Sequence, residues 1–250
     1  MVNKTLIHIK NANLGYRNGK AKIFVLDKVN LEFCEGDCIG LVGLNGSGKS
    51  TLIKSLCGEL DVISGHVFLE NVPVSEYPLH DLAKKIALVL TEKIRGFNLT
   101  VFDLVASGQM PYTNLFHRLN EYHLQVINEA MNMTGIAGFA NKPINELSDG
   151  NFQKALIAKA MAQQTQIILL DEPGAYLDYG SKHRLFEWLQ KLAKEQGKCI
   201  LASSHDLHLV RKYCNKILIL SEGRAELLDT EKAIVHPAFL TLGGSYLRAE

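Results

Sequence analysis

The chain has 250 residues, a length that suits one large α/β domain or one domain with a sizeable insertion. Hydrophobic residues make up 47% and charged residues 21% at a net charge of +1, ordinary values without the basic stripe of a nucleic-acid binder, so no nucleic-acid partner is expected. The apolar runs are far too short to span a membrane, nothing at the start suggests secretion, and the five cysteines are expected to be reduced thiols.

The N-terminal part alternates apolar and polar residues, as half-buried antiparallel strands do. Such segments occur at residues 6–10 and 29–33, with a turn predicted at residues 17–20, and residues 65–69 form a third. The sequence therefore predicts a small antiparallel layer. Tyr16 falls within it, where its ring could stack on an adenine; on residue type alone, a strand tyrosine packed against the core explains it equally well.

Residues 43–50 read Gly-x-x-x-x-Gly-Lys-Ser, between a predicted buried strand at residues 37–42 and a predicted helix at residues 51–57. Strand, glycine loop and helix in this order form the context of a phosphate-binding loop, because the glycines and the helix N-terminus aim N–H groups at an anion. Lys49 would reach the β- and γ-phosphates, and the Ser50 hydroxyl would ligate Mg²⁺. A chance glycine turn explains the flanking elements less well. The predicted nucleotide contacts are Gly43, Asn45, Gly46, Ser47, Gly48, Lys49, Ser50 and Thr51.

The middle of the chain changes to helical spacing. Residues 86–90 are a short strand candidate, and residues 100 to about 162 are mostly helical, with Pro111 and Pro143 interrupting the pattern. A helical block between two strand-rich stretches indicates a helical subdomain, at about residues 95–162, within a single domain that covers residues 1–250.

The last third alternates strands and helices, with buried strands predicted at residues 167–170, 200–203 and 217–220 and an amphipathic helix at residues 181–196. This alternation predicts a mostly parallel sheet covered on both faces, an α/β fold. Ligands of such sheets lie at the carboxyl ends of the strands, where Gly43, Asp171 and His205 would arrive together.

Two carboxylates follow the predicted strand at residues 167–170. Asp171 is placed to hold a magnesium ion near Ser50, and Glu172 can polarise a water for attack on a γ-phosphate. Alone, an Asp-Glu pair in this place is more often a solvated strand end. Together with the glycine loop, it predicts nucleotide hydrolysis.

Residues 147–151, Leu-Ser-Asp-Gly-Asn, resemble the signature motif of the ATP-binding-cassette (ABC) ATPases, whose usual form is Leu-Ser-Gly-Gly-Gln. The resemblance covers the whole chain in the family's order, with Tyr16 as the adenine-stacking aromatic, residues 43–50 as Walker A, Asp171 and Glu172 as Walker B and catalytic base, residues 175–178 as the D-loop, and His205 as the switch histidine. It implies a P-loop NTPase core with a mostly parallel sheet, an antiparallel β subdomain and an inserted helical subdomain.

The resemblance also implies how such a protein works. ATP and Mg²⁺ would be bound between the subunits of a head-to-tail homodimer, where Ser148 and Gly150 face the γ-phosphate held by the opposite subunit. Glu172 would be the catalytic base and His205 the γ-phosphate sensor. An ordinary P-loop kinase or GTPase does not account for residues 147–151.

Two segments depart from the family's pattern, the signature segment and the Q-loop. Asp149 replaces the first signature glycine and Asn151 the glutamine; since Asp tolerates positive φ, the glycine's backbone shape is expected to survive. Thr91 stands where the family's Q-loop glutamine would contact magnesium and the attacking water. Its side chain is shorter, although Glu92 is adjacent.

Residues 99–112 are similar to the helical segment of importers for iron–siderophore, haem and cobalamin. This similarity implies the ATP-hydrolysing subunit of a metal-chelate importer, cytoplasmic and peripheral on the inner face of the cell membrane. Its partners would be membrane permease subunits, bound through the helical subdomain, and indirectly a substrate-binding protein. The alternative is a soluble cassette ATPase in an assembly task such as iron–sulfur cluster biogenesis.

Overall fold

The structure is a computed structural model that describes residues 4–18, 21–90, 99–113 and 118–243. The strands of these residues are β1 (Thr5–Asn18), β2 (Ala21–Cys34), β3 (Cys38–Gly43), β4 (Ser64–Leu69), β5 (Val72–Pro73), β6 (Ile86–Val89), β7 (Ile167–Leu170), β8 (Cys199–Ser203), β9 (Lys216–Ser221) and β10 (Arg224–Asp229). The α-helices are α1 (Lys49–Leu56), α2 (Leu79–Leu82), α3 (Val101–Ala106), α4 (Glu121–Thr134), α5 (Asp149–Ala162), α6 (Tyr179–Gln196), α7 (Leu207–Tyr213), α8 (Thr230–Ala233) and α9 (Pro237–Gly243).

The strands form two sheets. The larger has the order β10-β9-β3-β8-β7-β6, and all neighbours in it are parallel except the antiparallel pair of β9 and β10. The smaller is an antiparallel sheet of order β2-β1-β4-β5. The predicted combination of a mostly parallel core and an antiparallel layer is therefore confirmed. Every residue of β3, β7 and β8 is buried, which explains their continuous apolar sequences.

The parallel sheet separates two hydrophobic cores. On one face Ile39, Leu169 and Leu201 pack with the antiparallel sheet and α1. On the other face Ile168, Ile200 and Ile217 pack with the helices. Alternate residues of one strand thus serve different cores, because successive side chains of a strand point to opposite faces.

The hairpin of β1 and β2 is longer than predicted. Arg17 and Asn18 pair with Lys22 and Ala21, so the predicted turn at residues 17–20 is wrong for its first two residues, and its last two lie outside the described residues. The ladder shifts register between Ile9 and Leu14. Such bulges interrupt the alternation of apolar and polar residues, which is why the pattern at residues 6–10 stops early.

The helical block lies between β6 and β7 and contains α3, α4 and α5. Thr100 and Asp103 form a capping box that starts α3, and Asn120 caps α4. Apolar residues of all three helices share the core on the helical face of the sheet. Within the described part of the chain, every helix is too short or too polar to cross a bilayer. All five cysteines are free, as predicted.

Candidate functional site

The glycine loop connects the end of β3 to α1. Gly46 and Gly48 have φ values of 78° and 102°, in the left-handed region that favours glycine. A Cβ on Gly48 would lie 2.7 Å from Val25 Cγ1, so this position also lacks space for a side chain. Gly48 is the N-cap of α1 and provides no capping side chain, which leaves the first N–H groups of the helix available to an anion.

Lys49, the first residue of α1, is 7% exposed. Its Nζ donates to the backbone oxygens of Gly43 at 2.9 Å and Leu44 at 3.3 Å. Burial lowers the pKa of Lys49, and the negative charges of Glu172 and Asp171 oppose this shift. A buried ammonium held at the mouth of the loop is suited to a phosphate group, whose charge would replace the lost hydration.

Asp171 follows β7 and is 8% exposed. Ser50 Oγ donates to its Oδ2 at 2.6 Å, and Ser203 Oγ donates to its Oδ1 at 2.7 Å. The predicted magnesium ligands Ser50 and Asp171 are therefore neighbours, although 121 residues separate them in sequence. Hydroxyl and carboxylate oxygens are the donors that Mg²⁺ prefers, so this pair fits the ion by its chemistry.

Glu172 contacts His205 across the ends of β7 and β8. The distance between His205 Nε2 and Glu172 Oε1 is 2.7 Å, and both side chains are partly exposed. Glu172 has a φ of 47°, a conformation that is strained for a residue with a side chain. Its N–H donates to Ser203 Oγ at 2.7 Å, which holds the backbone in place. A carboxylate held in this way can accept a proton from a water, and the imidazole can donate to an anion.

Ser203, the last residue of β8, is the site residue that sequence reasoning missed. It is completely buried and contacts both Asp171 and Glu172. The available signal was its place at the end of an apolar parallel strand. Because neighbouring parallel strands end at one edge of a sheet, a hydroxyl there is expected close to the acidic pair.

Open space adjoins the glycine loop on two sides. A cavity of about 170 Å³ lies between the loop and His205 and is lined by Gly43 and Asn45 among others. A larger cavity of about 840 Å³ adjoins Asn45, Gly46 and Ser47 on the side of β9 and β10. The loop is therefore accessible to a ligand.

Tyr16 lies on β1, and the residue is 44% exposed. Its hydroxyl is hydrogen-bonded to the hydroxyl of Thr51 at 3.1 Å. The alternative of a tyrosine packed in the core is therefore wrong. The ring is exposed beside the glycine-loop helix, and adenine stacking stays a prediction.

The signature segment begins α5. Ser148 is the N-cap, and its hydroxyl accepts from the Asn151 N–H at 3.4 Å. Asp149 is the first helical residue and has no positive φ, so the tolerance of Asp for positive φ is not needed here. The reason is that the helix starts at this position. A Cβ on Gly150 would lie 3.0 Å from the backbone oxygen of Tyr176, which places the signature against the D-loop.

The structure joins some of the predicted site residues and not others. Lys49, Ser50, Asp171, Glu172 and His205 meet at the ends of β3, β7 and β8. Among the described residues, no hydrogen bond or ion pair joins Ser148 or Gly150 to this group. Thr91 and Glu92 lie outside the described residues, so the metal contact predicted for Thr91 stays a prediction.

A glycine loop at the end of a central parallel strand, with an acidic pair at the end of a nearby strand, defines a P-loop nucleoside triphosphatase. A family model described as "ABC transporter" matches residues 26–175, more than half of the chain. The chain belongs to the ABC transporter family, as the signature segment predicted.

Two curated relatives cover most of this chain. An uncharacterized ABC transporter ATP-binding protein of Methanocaldococcus jannaschii is 36% identical over 88% of this chain and 74% of its own length. The ferric enterobactin transport ATP-binding protein FepC of Escherichia coli is 34% identical over 87% of this chain and 80% of its own length.

Two solved structures share the fold. A metal-chelate type ABC transporter in an inward-facing conformation matches with a TM-score of 0.79 and 26% identity, over 96% of this chain and 88% of that one. A dimeric bacterial ABC transporter cassette matches with a TM-score of 0.80 and 28% identity, over 90% of this chain and 99% of that one.

Proposed function

We propose that this chain binds and hydrolyses ATP to drive import of a metal chelate of the iron–siderophore, haem or cobalamin type. The observation that carries hydrolysis is the linked group of Ser50, Asp171, Ser203, Glu172 and His205 at the edge of the parallel sheet. We infer that residues 1–250 form one ATPase domain and that residues 95–162 are its helical subdomain.

The site residues have separate roles in nucleotide binding, metal binding and proton transfer. The N–H groups of the glycine loop and Lys49 bind the phosphates, and Tyr16 stacks on the adenine. Ser50 and Asp171 would hold Mg²⁺, which offsets phosphate charge when bound. Glu172 accepts the proton of the attacking water. Its contact with His205 keeps the carboxylate oriented toward that water. The imidazole of His205 then donates to the γ-phosphate.

The signature segment supports a site shared between two copies of the chain. Ser148 and Gly150 lie at a helix N-terminus, where N–H groups and the helix dipole favour an anion. Since they do not join the glycine loop of their own chain, a second copy arranged head to tail would supply the γ-phosphate for them. The similarity to a dimeric cassette supports the same arrangement.

The importer branch is supported by the segment at residues 99–112. It forms α3 and a 3₁₀ turn, Ser107–Tyr112, that packs against the end of α5. The buried Gln109 amide donates to the backbone oxygen of Ala162, and the Tyr112 hydroxyl donates to that of Gln163 at 2.9 Å. These two bonds fix residues 99–112 within the helical subdomain, through which the permease subunits would bind.

The relatives named as transport proteins favour import over an assembly task such as iron–sulfur cluster biogenesis. On this proposal the chain acts peripherally at the inner face of the cell membrane. Permease subunits bind it directly, and a substrate-binding protein acts through them.

The test is reconstitution with candidate permease subunits from the source organism. In proteoliposomes with ATP and Mg²⁺, we expect uptake of a radiolabelled ferric siderophore, haem or cobalamin, and no uptake with the Glu172→Gln variant. A chain that hydrolyses ATP but neither co-purifies with a permease nor supports uptake of any of the three would contradict the import proposal. Recovery of iron–sulfur clusters in an apo-protein would then support the alternative.

A further inference from the structure

Two helices begin directly at segments of the proposed site. Asp178, the last residue of the D-loop segment, is the N-cap of α6, where it accepts from the Ser181 N–H at 2.9 Å and from Ser181 Oγ at 2.6 Å. Asp206, next to His205, is the N-cap of α7 and accepts from the Leu209 N–H at 3.2 Å. A side-chain contact that fixes α6 against α7 therefore also fixes the position of the D-loop relative to His205.

His183 of α6 contacts both ends of α7. Its Nδ1 is hydrogen-bonded to the hydroxyl of Tyr213, the last residue of α7, at 3.0 Å. Its ring also lies edge-on to the ring of His208, near the start of α7, with 6.2 Å between the ring centres. One side chain of α6 thus contacts residues near both the start and the end of α7.

The surroundings of His183 leave the ring little freedom. The Tyr179 ring centre lies 4.4 Å from that of His183, and Tyr213 is 8% exposed and packs near Phe186. The second ring nitrogen, Nε2, is buried and has no hydrogen-bond partner in the described part of the chain. The bond to Tyr213 therefore sets the orientation of the ring.

The contact is remote from the reacting atoms but adjoins the elements that carry them. His205 reaches Glu172 over 2.7 Å, a distance that a small shift of α7 would change. Displacements of this kind, far from the chemistry, can lower the rate strongly because the reacting groups must stay aligned.

We propose that His183, through its hydrogen bond to Tyr213, is a positioning residue that holds the switch histidine in register with the D-loop. The inference rests on the proposed ATP hydrolysis. His183 touches neither nucleotide nor water in this role; it acts through α7.

The test is Tyr213→Phe, which removes one hydroxyl and keeps the ring. The matched control is Tyr77→Phe, since the Tyr77 hydroxyl donates to the Leu69 backbone oxygen at 3.0 Å in the antiparallel layer. We expect Tyr213→Phe to lower kcat roughly fivefold, with ATP affinity and thermal midpoint equal to those of the control. Tyr77→Phe keeps the parental kcat.

A double-mutant cycle tests whether His183 and Tyr213 act through their shared hydrogen bond. His183→Phe keeps a ring and removes the hydrogen bond, so the double variant with Tyr213→Phe should be no slower than either single variant. His183→Asn places a polar atom near the position of Nδ1 and should recover part of the rate lost in His183→Phe.

Three outcomes would overturn the inference: a parental kcat in Tyr213→Phe, additive losses in the double variant, or a loss of kcat matched by equal losses of ATP affinity and thermal stability. A parent chain that does not hydrolyse ATP at all would contradict the proposed function instead. The two failures are therefore distinguishable.

Discussion

The proposed site has two parts: a core half at the ends of the parallel strands and a signature half at the start of α5. They differ in how many of their contacts are made within one chain. In the core half, Ser50, Asp171, Ser203 and Glu172 are linked by hydrogen bonds of 2.6–2.7 Å between residues distant in sequence. In the signature half, Ser148 bonds to Asn151 three residues away, and Gly150 lies against the D-loop.

This difference separates what one chain holds rigid from what it presents to a partner. The core half is fixed by a parallel sheet, so its chemistry is built before any ligand arrives. The signature half is a capped helix N-terminus, and within the described ranges no hydrogen bond joins Ser148 or Gly150 to the core half. We therefore expect damage to the core half to act within a subunit and damage to the signature half to act across the dimer.

The largest loss of ATP affinity is expected for Lys49→Ala in the core half. The variant loses the buried ammonium, and since charge-assisted hydrogen bonds contribute about 1.5–3 kcal/mol each, ATP affinity should fall by roughly a hundredfold or more. Titration with a fluorescent ATP analogue measures this affinity. Lys54→Ala removes a partly buried lysine of the same helix, which pairs with Glu59; this variant is the control and should bind ATP normally. Equal affinity of the Lys49→Ala variant and the parent would contradict the phosphate-loop assignment.

Glu172→Gln should leave ATP binding intact, lower the hydrolysis rate by about 10²–10⁴-fold and accumulate a dimer with ATP and Mg²⁺. The physical reason is that the carboxylate acts on the water rather than on the nucleotide. Single-turnover rates and size measurements by light scattering test both parts. Glu187→Gln, at a surface pair with Lys191, is the control. Hydrolysis at the parental rate would exclude Glu172 as the base.

Ser148→Ala in the signature half should lower hydrolysis by about a hundredfold while each monomer still binds ATP, because the lost donor faces the γ-phosphate of the other subunit. Asn120→Ala is the matched control: it removes the N-cap of α4 in the same helical block and should reduce stability alone.

Mixing the variants tests the shared site directly. In a heterodimer of Ser148→Ala with Lys49→Ala, one of the two sites combines an intact glycine loop with an intact signature, so an equimolar mixture should recover up to about a quarter of the parental rate. No recovery on mixing, with heterodimers shown to form, would count against a head-to-tail arrangement with independent sites.

Among the changes in the two halves of the site, the smallest effect is expected for Ser203→Ala. This change removes one bond to the Asp171 carboxylate and one to the Glu172 N–H, and kcat should fall roughly tenfold with ATP affinity nearly unchanged. Ser55→Ala on α1 is the control, because the buried Ser55 hydroxyl has no hydrogen-bond partner among the described residues. A parental kcat in Ser203→Ala would show that Glu172 keeps its conformation without this support.

The order of the elements and the local chemistry could be predicted from the amino-acid sequence. The glycine loop, the acidic pair and the continuous apolar strands are properties of short segments, so their patterns are visible without a fold. The glycine loop, the acidic pair and the signature segment could therefore be predicted, and with them the family.

Which of these segments lie next to each other depends on the tertiary fold. Pairing of Leu170 with Ala202 places Ser203 beside Asp171, and the packing of α6 on α7 joins His183 to Tyr213. The extended hairpin and the helical start at Asp149 were also settled at this level. The physical reason is that strand order, bulges and helix packing depend on contacts between residues far apart in sequence, which no local pattern records.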